Sequence, residues 1–234
     1  MFLFDPTIIL ILPALIFSIW ASSKVNSTFK KFSSVYSRSG YTAAMACRAV
    51  LDTKGLYHVR IEHIPGNLTD HYDPKEEVIR LSDSVYNSTS AAAIGVACHE
   101  AGHAIQHAEE YLPIKIRQAI IPMTMFGSTA GIWIFMIGYI LSIYSDVFLM
   151  IGYIGIALFS LTAVFQLVTL PTEYNASRRA VKAIVQTGIL NEEELDCAKQ
   201  VLSAAALTYV AALASSLSQL LRFIVLLSGN RRRR

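Results

Sequence analysis

Charged side chains are scarce in this sequence. Asp, Glu, Lys and Arg make up 16% of its 234 residues, whereas hydrophobic residues make up 53%. An average soluble domain carries about 25% charged residues, so the deficit predicts a membrane protein that has the lipid bilayer as a partner. The net charge of +3 is small and dispersed, which argues against a nucleic-acid partner. The one dense basic run, residues 231–234, is either a juxtamembrane anchor or a cloning remnant.

Cysteine is rare as well. Only Cys47, Cys98 and Cys197 are present, and no two of them have the C-x-x-C spacing of a zinc ribbon. Since their number is odd and their spacing irregular, a disulfide framework is not expected. We expect reduced cysteines, mostly buried as small apolar side chains.

Long segments without any charged residue dominate the rest of the sequence. Residues 119–141 and 147–170 contain no Asp, Glu, Lys or Arg, and each is long enough to cross a bilayer. They are separated by only five residues, so we predict a transmembrane helical hairpin. Residues 7–21, extended by residues 2–4, form another apolar run. We predict that it is an N-terminal anchor, because no basic segment of a signal peptide precedes it.

The polar segments predict a small α+β part. We expect helices at 39–51 and after the capping residues 88–90, and strands at 57–61 and 77–82, with an Asp-rich turn at 68–74. A polar helix is expected from Glu173 to about Gln186, ended by Gly188. Asn191 and Glu194 have the spacing of a capping box that opens a last helix.

The helix that follows residues 88–90 carries the sequence His-Glu-Ala-Gly-His at 99–103. Because residues four apart share one helix face, His99 and His103 can both present imidazole nitrogens to one zinc ion. Glu100 would project beside the ion, where it can act as a general base towards a zinc-activated water. The alternative is a pair of solvated histidines, but the small, apolar residues 91–97 predict a buried helix instead.

A zinc site of this type needs a third protein ligand. Gln106 and Glu109 stand where the metzincin pattern has glycine and histidine, so that pattern fails. Glu173 opens a polar helix directly after a membrane segment and is the best candidate. The alternative for Glu173 is an acid that complements the macrodipole in the first turn of a helix. We predict one Zn²⁺ held by His99, His103 and Glu173.

Several other polar residues have open roles. Asn175 and Ser177 are candidates for accepting the second N–H of a ligand histidine. His107 is expected at the surface or behind the ligands. Asp70, His71 and Asp73 are metal ligands by residue type, but we interpret them as a capped turn.

A strand shortly before the motif helix suggests how a substrate could bind. An edge strand above a zinc site can bind an extended peptide through backbone hydrogen bonds. We expect this role for the strand at 78–82.

Four spaced segments, at residues 68–74, 99–106, 173–180 and 204–210, closely resemble the bacterial YugP-type membrane zinc metallopeptidases. The resemblance covers almost the whole chain and implies a neutral zinc peptidase of the bacterial plasma (inner) membrane. More distantly, the chain is similar to the HtpX-type gluzincins, which follow H-E-x-x-H with a downstream E-x-x-A-D helix. That similarity implies Glu173 as third ligand, with Ser177 in place of the Asp. In the last segment, Tyr209 is either a group that steadies an oxyanion or an interfacial tyrosine.

The expected fold class is therefore a mainly α membrane protein, with three transmembrane helices and a small α+β zincin-like catalytic part. The predicted parts are an anchor at 1–22, the catalytic part at 23–118, the hairpin at 119–170, and the third-ligand and C-terminal helices at 171–234. The last helix would pack on the catalytic part or lie at the membrane, and a fourth span at 207–227 is the alternative.

Basic residues follow two of the apolar segments and predict the topology. They are Lys24, Lys30, Lys31 and Arg38 after the anchor, and Arg178, Arg179 and Lys182 after the hairpin. Because Lys and Arg prefer the cytoplasmic side, a multi-pass protein with a cytoplasmic site is expected.

The preferred function is a zinc endopeptidase acting on membrane or membrane-proximal polypeptides. The alternatives are an intramembrane protease and a non-catalytic membrane scaffold with a structural metal. Polar residues directly after the motif, such as Gln106 and Glu110, favour a site at the membrane surface. The sequence leaves open the substrate, homo-oligomer formation and membrane partner proteins.

Overall fold

The fold is that of a computed structural model, which describes residues 6–232 and the side chains as far as residue 229. The apolar residues 2–4 and the last two arginines of the basic run lie outside the described residues. The described chain forms a 3-10 helix at Pro6–Leu10, α1 at Leu12–Phe32, α2 at Ala43–Asp52, β1 at Arg60–Ile64, β2 at His71–Asp73, β3 at Val78–Ser82, α3 at Ala91–Ala108, α4 at Leu112–Leu141, α5 at Val147–Thr187 and α6 at Glu192–Arg232. The predicted mainly α fold class is confirmed.

The chain divides into two compact units. The first, which we call the polar unit, comprises Ala21–Lys115 and Pro171–Leu207. The second, which we call the apolar unit, comprises Met1–Trp20, Ile116–Leu170 and Thr208–Arg234. All residues of the predicted zinc site therefore belong to the polar unit.

A three-stranded sheet in the order β1–β3–β2 forms one side of the polar unit. β3 pairs in parallel with β1 and antiparallel with β2. It is the most buried strand, as its central position requires. The expectation that residues 78–82 form an edge strand is wrong, because both edges of β3 are paired. The edge strand beside the motif helix is β2, which the sequence predicted to be an irregular turn.

Helix α3 is the buried centre of the polar unit. The Ser90 hydroxyl accepts a hydrogen bond from the Ala93 N–H at 3.2 Å, which caps the helix as predicted.

A glycine in α3 lets a neighbouring helix approach closely. A Cβ added to Gly102 would lie 2.5 Å from the carbonyl oxygen of Ala176 in α5. The motif helix and the helix that carries Glu173 are therefore in backbone contact.

Helix α5 is continuous from Val147 to Thr187, where the sequence predicted two segments. Pro171 lies inside it, although proline removes one helical hydrogen bond. Glu173 consequently lies deep within a long helix. Its interpretation as an acid that complements the N-terminal macrodipole is excluded, because that effect is confined to the first turn.

The predicted capping box at the start of α6 is confirmed. The Glu194 N–H donates to Asn191 Oδ1 at 2.9 Å, and the Asn191 N–H donates to Glu194 Oε2 at 3.0 Å. These two bonds satisfy backbone donors that the first turn would leave unpaired.

Close helix packing characterises the apolar unit. A Cβ added to Gly131 would lie 2.7 Å from the backbone nitrogen of Phe159, so α4 and α5 approach at backbone distance. The end of α6 joins this pair through a buried cluster of six residues: Phe135, Leu149, Phe159, Phe223, Leu226 and Leu227.

Three helices of the described chain are long and apolar enough to cross a membrane: Leu112–Leu141, Val147–Thr187 and Glu192–Gly229. Three spans were expected, and the hairpin provides two of them. By length and composition the third is α6, which agrees with the alternative of a span at 207–227. The anchor at 1–22 stays a prediction, because residues 1–5 lie outside the described chain. As described, α1 begins at Leu12 and soon reaches Lys24, which limits its apolar length. Large apolar side chains such as Met125 and Trp133 are exposed on α4, as a helix facing lipid requires.

Candidate metal centre

Helices α3 and α5 bring His99, His103 and Glu173 together. The potential ligand atoms of these side chains all lie within 4.8 Å of one another. Glu173 Oε2 is 3.2 Å from His99 Nε2 and 3.4 Å from His103 Nε2. A tetrahedral zinc ion with bonds of ~2.0–2.1 Å holds its donor atoms roughly 3.3 Å apart. The donor set and its spacing therefore fit one such ion.

The three side chains are largely shielded from water. Glu173 is 2% exposed and His103 is 9% exposed. Burial raises the pKa of the Glu173 carboxyl, but hydrogen bonds and charge from His103 and His99 outweigh burial and hold this pKa well below its usual range. Glu173 is thus a carboxylate, which is the form that coordinates a metal ion.

Each histidine has a polar partner on its other ring nitrogen. His99 Nδ1 lies 3.1 Å from Ser177 Oγ, and His103 Nδ1 lies 3.0 Å from Gln106 Oε1. Both Nε2 atoms remain directed at Glu173. Ser177 was a predicted partner, and its hydroxyl occupies the place that the gluzincin pattern assigns to Asp.

Gln106 is a residue that the sequence reasoning missed. It served to exclude the metzincin pattern and to argue for a site at the membrane surface, although a residue three positions after a histidine lies on nearly the same helix face. The three-residue spacing between His103 and Gln106 was the signal in the sequence that could have identified this contact. Asn175, which was expected to contact a ligand histidine, hydrogen bonds with Gln106 instead at 2.9 Å.

Glu100 lies beside the three candidate ligands without joining them. Its side chain is buried, and the backbone N–H of Tyr72 in β2 acts on its carboxyl group as a nearby donor that slightly lowers the pKa. Burial is the largest effect and raises the pKa of Glu100 to about 7, with the charge of His99 acting in the opposite direction. A carboxyl group that ionises near neutral pH is suited to proton transfer.

The turn before β3 has a structural role. Asp70 accepts a hydrogen bond from the Ser82 N–H at 2.7 Å, and Asp73 accepts one from the Lys75 N–H at 2.8 Å. Neither of them, nor His71, belongs to the group of candidate metal ligands formed by the described residues. The capping hydrogen bonds of Asp70 and Asp73 agree with the interpretation as a capped turn, but residues 71–73 form strand β2.

Two further candidates, His107 and Tyr209, are not among the candidate metal ligands of the described residues. His107 packs against Tyr72, with ring centroids 6.1 Å apart. Tyr209 lies in the part of α6 that belongs to the apolar unit, and its proposed role stays a prediction.

The cysteines are unpaired, as predicted. Burial raises the pKa of Cys98, the neighbour of His99, to about 12. Cys98 is therefore buried as a neutral thiol, and it is not among the candidate metal ligands of the described residues.

Replacing Gly102 with alanine should destabilise the polar unit, because the added methyl group would meet the backbone of Ala176. We expect a loss of about 1–3 kcal/mol in the free energy of unfolding, measured by denaturant titration in detergent. Gly229→Ala is the matched control, since a Cβ there has no neighbour within 4 Å. Equal stability of the two variants would refute the close packing of α3 on α5.

The class of protein is now defined: a helical membrane protein with a two-histidine, one-carboxylate site fitted to a zinc ion. The chain belongs to the family described as "Putative neutral zinc metallopeptidase", whose model matches residues 7–228. It is 46% identical, over 224 residues, to a Bacillus subtilis (strain 168) protein named "Putative membrane protease YugP". That alignment covers 96% of this chain and 97% of the relative. No solved structure matches the chain significantly.

Proposed function

We propose that this protein is a zinc-dependent endopeptidase that hydrolyses membrane or membrane-proximal polypeptides. In this proposal, His99, His103 and Glu173 bind one zinc ion and Glu100 is the general base. The observation that carries it is the convergence of two Nε2 atoms and one carboxylate oxygen beside a second buried acid, Glu100. Three protein ligands leave one position of a tetrahedral ion open for a reactant, as catalysis requires.

Each residue has a separate task in the proposed reaction. Bound zinc would supply a Lewis acid that polarises the scissile carbonyl and makes water more acidic. Glu100 accepts a proton from the attacking water and delivers it to the leaving amine. Proton transfer by a positioned side chain contributes typically about 10²–10⁴-fold to a rate.

Glu100 also supports catalysis over a purely structural metal site. Burying a carboxyl group costs free energy, and a site that only stabilises a fold has no use for an additional acid beside its ligands. The polar surroundings of the site support a surface location over an intramembrane one. All four residues belong to the polar unit and lie outside the charge-free segments 119–141 and 147–170.

We further propose that the site faces the cytoplasm of a bacterial plasma membrane. Support comes from the basic residues that follow the apolar segments, among them Lys30, Lys31 and Arg178. A polypeptide substrate would then approach from the cytoplasm or from cytoplasmic segments of membrane proteins.

The test is cleavage of an unfolded, casein-like polypeptide by the purified full-length protein in detergent. We expect a chelator to reduce cleavage to background and an equimolar amount of zinc to restore it. Magnesium should not restore it, because Mg²⁺ prefers oxygen ligands in octahedral geometry. Cleavage that persists after complete removal of zinc would contradict the proposal.

A further inference from the structure

We infer that Gln106 is a positioning residue that fixes the tautomer of His103 and directs its Nε2 at the metal site. Gln106 is fully buried, at 0% exposure, and lies one helical turn after His103. The inference rests on the proposed function only in taking His103 as a metal ligand.

The orientation of the Gln106 amide follows from its donors and acceptors. Gln106 Nε2 lies 2.8 Å from the carbonyl oxygen of Thr172, and a backbone carbonyl can only accept. Nε2 is therefore the NH₂ group. The same Nε2 donates to Asn175 Oδ1 at 2.9 Å, which uses its second hydrogen.

The orientation of Asn175 is fixed independently by Arg179. Arg179 Nε lies 2.7 Å from Asn175 Oδ1, and a guanidinium group can only donate. Asn175 must therefore present its oxygen to Gln106. Arg179 is itself held by an ion pair with Glu109 and lies over the Tyr111 ring, 5.7 Å from its centroid.

The tautomer of His103 is the consequence. Because the NH₂ group of Gln106 faces Thr172 and Asn175, its Oε1 faces His103 Nδ1 at 3.0 Å. An amide oxygen cannot donate, so Nδ1 must carry the hydrogen. Nε2 is then the nitrogen that would bind zinc. Without zinc it faces Glu173 Oε2 at 3.4 Å, and this carboxylate accepts a hydrogen bond whenever Nε2 carries a second hydrogen. The hydrogen on His103 Nδ1 is thus assigned from neighbouring groups that can only donate or only accept hydrogen bonds.

The same amide also connects the two ligand-bearing helices. Gln106 belongs to α3 with His103, whereas Thr172 directly precedes Glu173 in α5. One buried side chain therefore positions a histidine ligand and the carboxylate ligand relative to each other. His99 has no equivalent, since its Nδ1 partner is a hydroxyl that can donate or accept.

The experiment compares Gln106→Met with Gln106→Glu in the full-length protein. Methionine keeps the volume but removes the acceptor. Glutamate keeps an acceptor for Nδ1–H but loses both donors to Thr172 and Asn175, so it should destabilise the fold at least as much. Imidazole ¹⁵N NMR of the zinc-loaded protein reports which ring nitrogen of His103 carries the hydrogen, and competition with a chromophoric chelator reports the zinc affinity.

We expect the Nδ1–H tautomer of His103 in the wild type and in Gln106→Glu, and a mixture of tautomers in Gln106→Met. Zinc affinity should fall about 10- to 100-fold in Gln106→Met and by less in Gln106→Glu. Ser37→Ala, which removes a buried hydrogen bond to Ile189, controls for destabilisation and should leave zinc affinity unchanged.

Two results would overturn the inference. One is an Nε2–H tautomer in the wild type, and the other is a zinc affinity that follows stability alone across the three variants. The NMR result is independent of whether the protein cleaves peptides. A failure of the proposed peptidase function is therefore distinguishable from a failure of this inference.

Discussion

Replacing Glu100 with glutamine should abolish peptide cleavage while zinc stays bound. Glutamine has nearly the same shape as glutamate, but it cannot take a proton from water. We expect kcat/KM to fall by about 10²–10⁴-fold, measured on an unfolded polypeptide in detergent. Zinc content should stay at the wild-type level, because Glu100 is not among the candidate ligands.

Glu110→Gln is the matched control for this prediction. Glu110 follows α3, is exposed and pairs with Lys115, so its loss should leave cleavage unchanged. Wild-type cleavage by Glu100→Gln would remove Glu100 from the mechanism. Loss of zinc together with cleavage would instead show that Glu100 holds the metal site together.

Replacing Glu173 with alanine should remove most of the zinc affinity. Structural zinc sites bind with about 10–16 kcal/mol over four ligands, or about 2.5–4 kcal/mol for each ligand. Losing one ligand should therefore weaken binding by roughly 10²–10³-fold. The change also deletes the carboxylate that both Nε2 atoms face at 3.2 and 3.4 Å. Competition with a chromophoric chelator measures the change in affinity.

Two companion variants make this prediction specific. Glu173→Asp keeps the charge, but its shorter side chain moves the carboxylate oxygens away from the two histidines. We therefore expect a zinc affinity between those of the wild type and Glu173→Ala. Glu192→Ala removes an exposed acid from the first turn of α6 and should have no effect. Wild-type affinity in Glu173→Ala would mean that the third ligand lies elsewhere in the chain.

The sequence predicted correctly those features that depend on residues close together in the chain. Four-residue spacing placed His99 and His103 on one helix face, and the capping residues Ser90 and Asn191 marked two helix starts correctly. Glu173 was selected by elimination and by resemblance, and the structure brings it beside both histidines. Its role as ligand stays a prediction, as does the role of Glu100.

What the sequence did not show depends on contacts between distant segments. The strand β2 has only three residues, too few for a periodic pattern, and forms because β3 supplies its hydrogen bonds. The central position of β3 is a property of sheet order, which alternation along one strand does not encode. Pro171 indicated a helix boundary, yet α5 continues through it. Gln106 gained its meaning only when Thr172 and Asn175 were placed beside it.

The central claim is that His99, His103 and Glu173 form one zinc site. X-ray absorption at the zinc edge of the purified, zinc-loaded protein tests it most directly, because it identifies the ligand atoms and their distances. We predict one zinc per chain, with two imidazole nitrogens and oxygen donors at ~2.0–2.2 Å and no sulfur neighbour. A sulfur shell at ~2.3 Å, a spectrum without imidazole, or the wild-type spectrum in Glu173→Ala would contradict the claim.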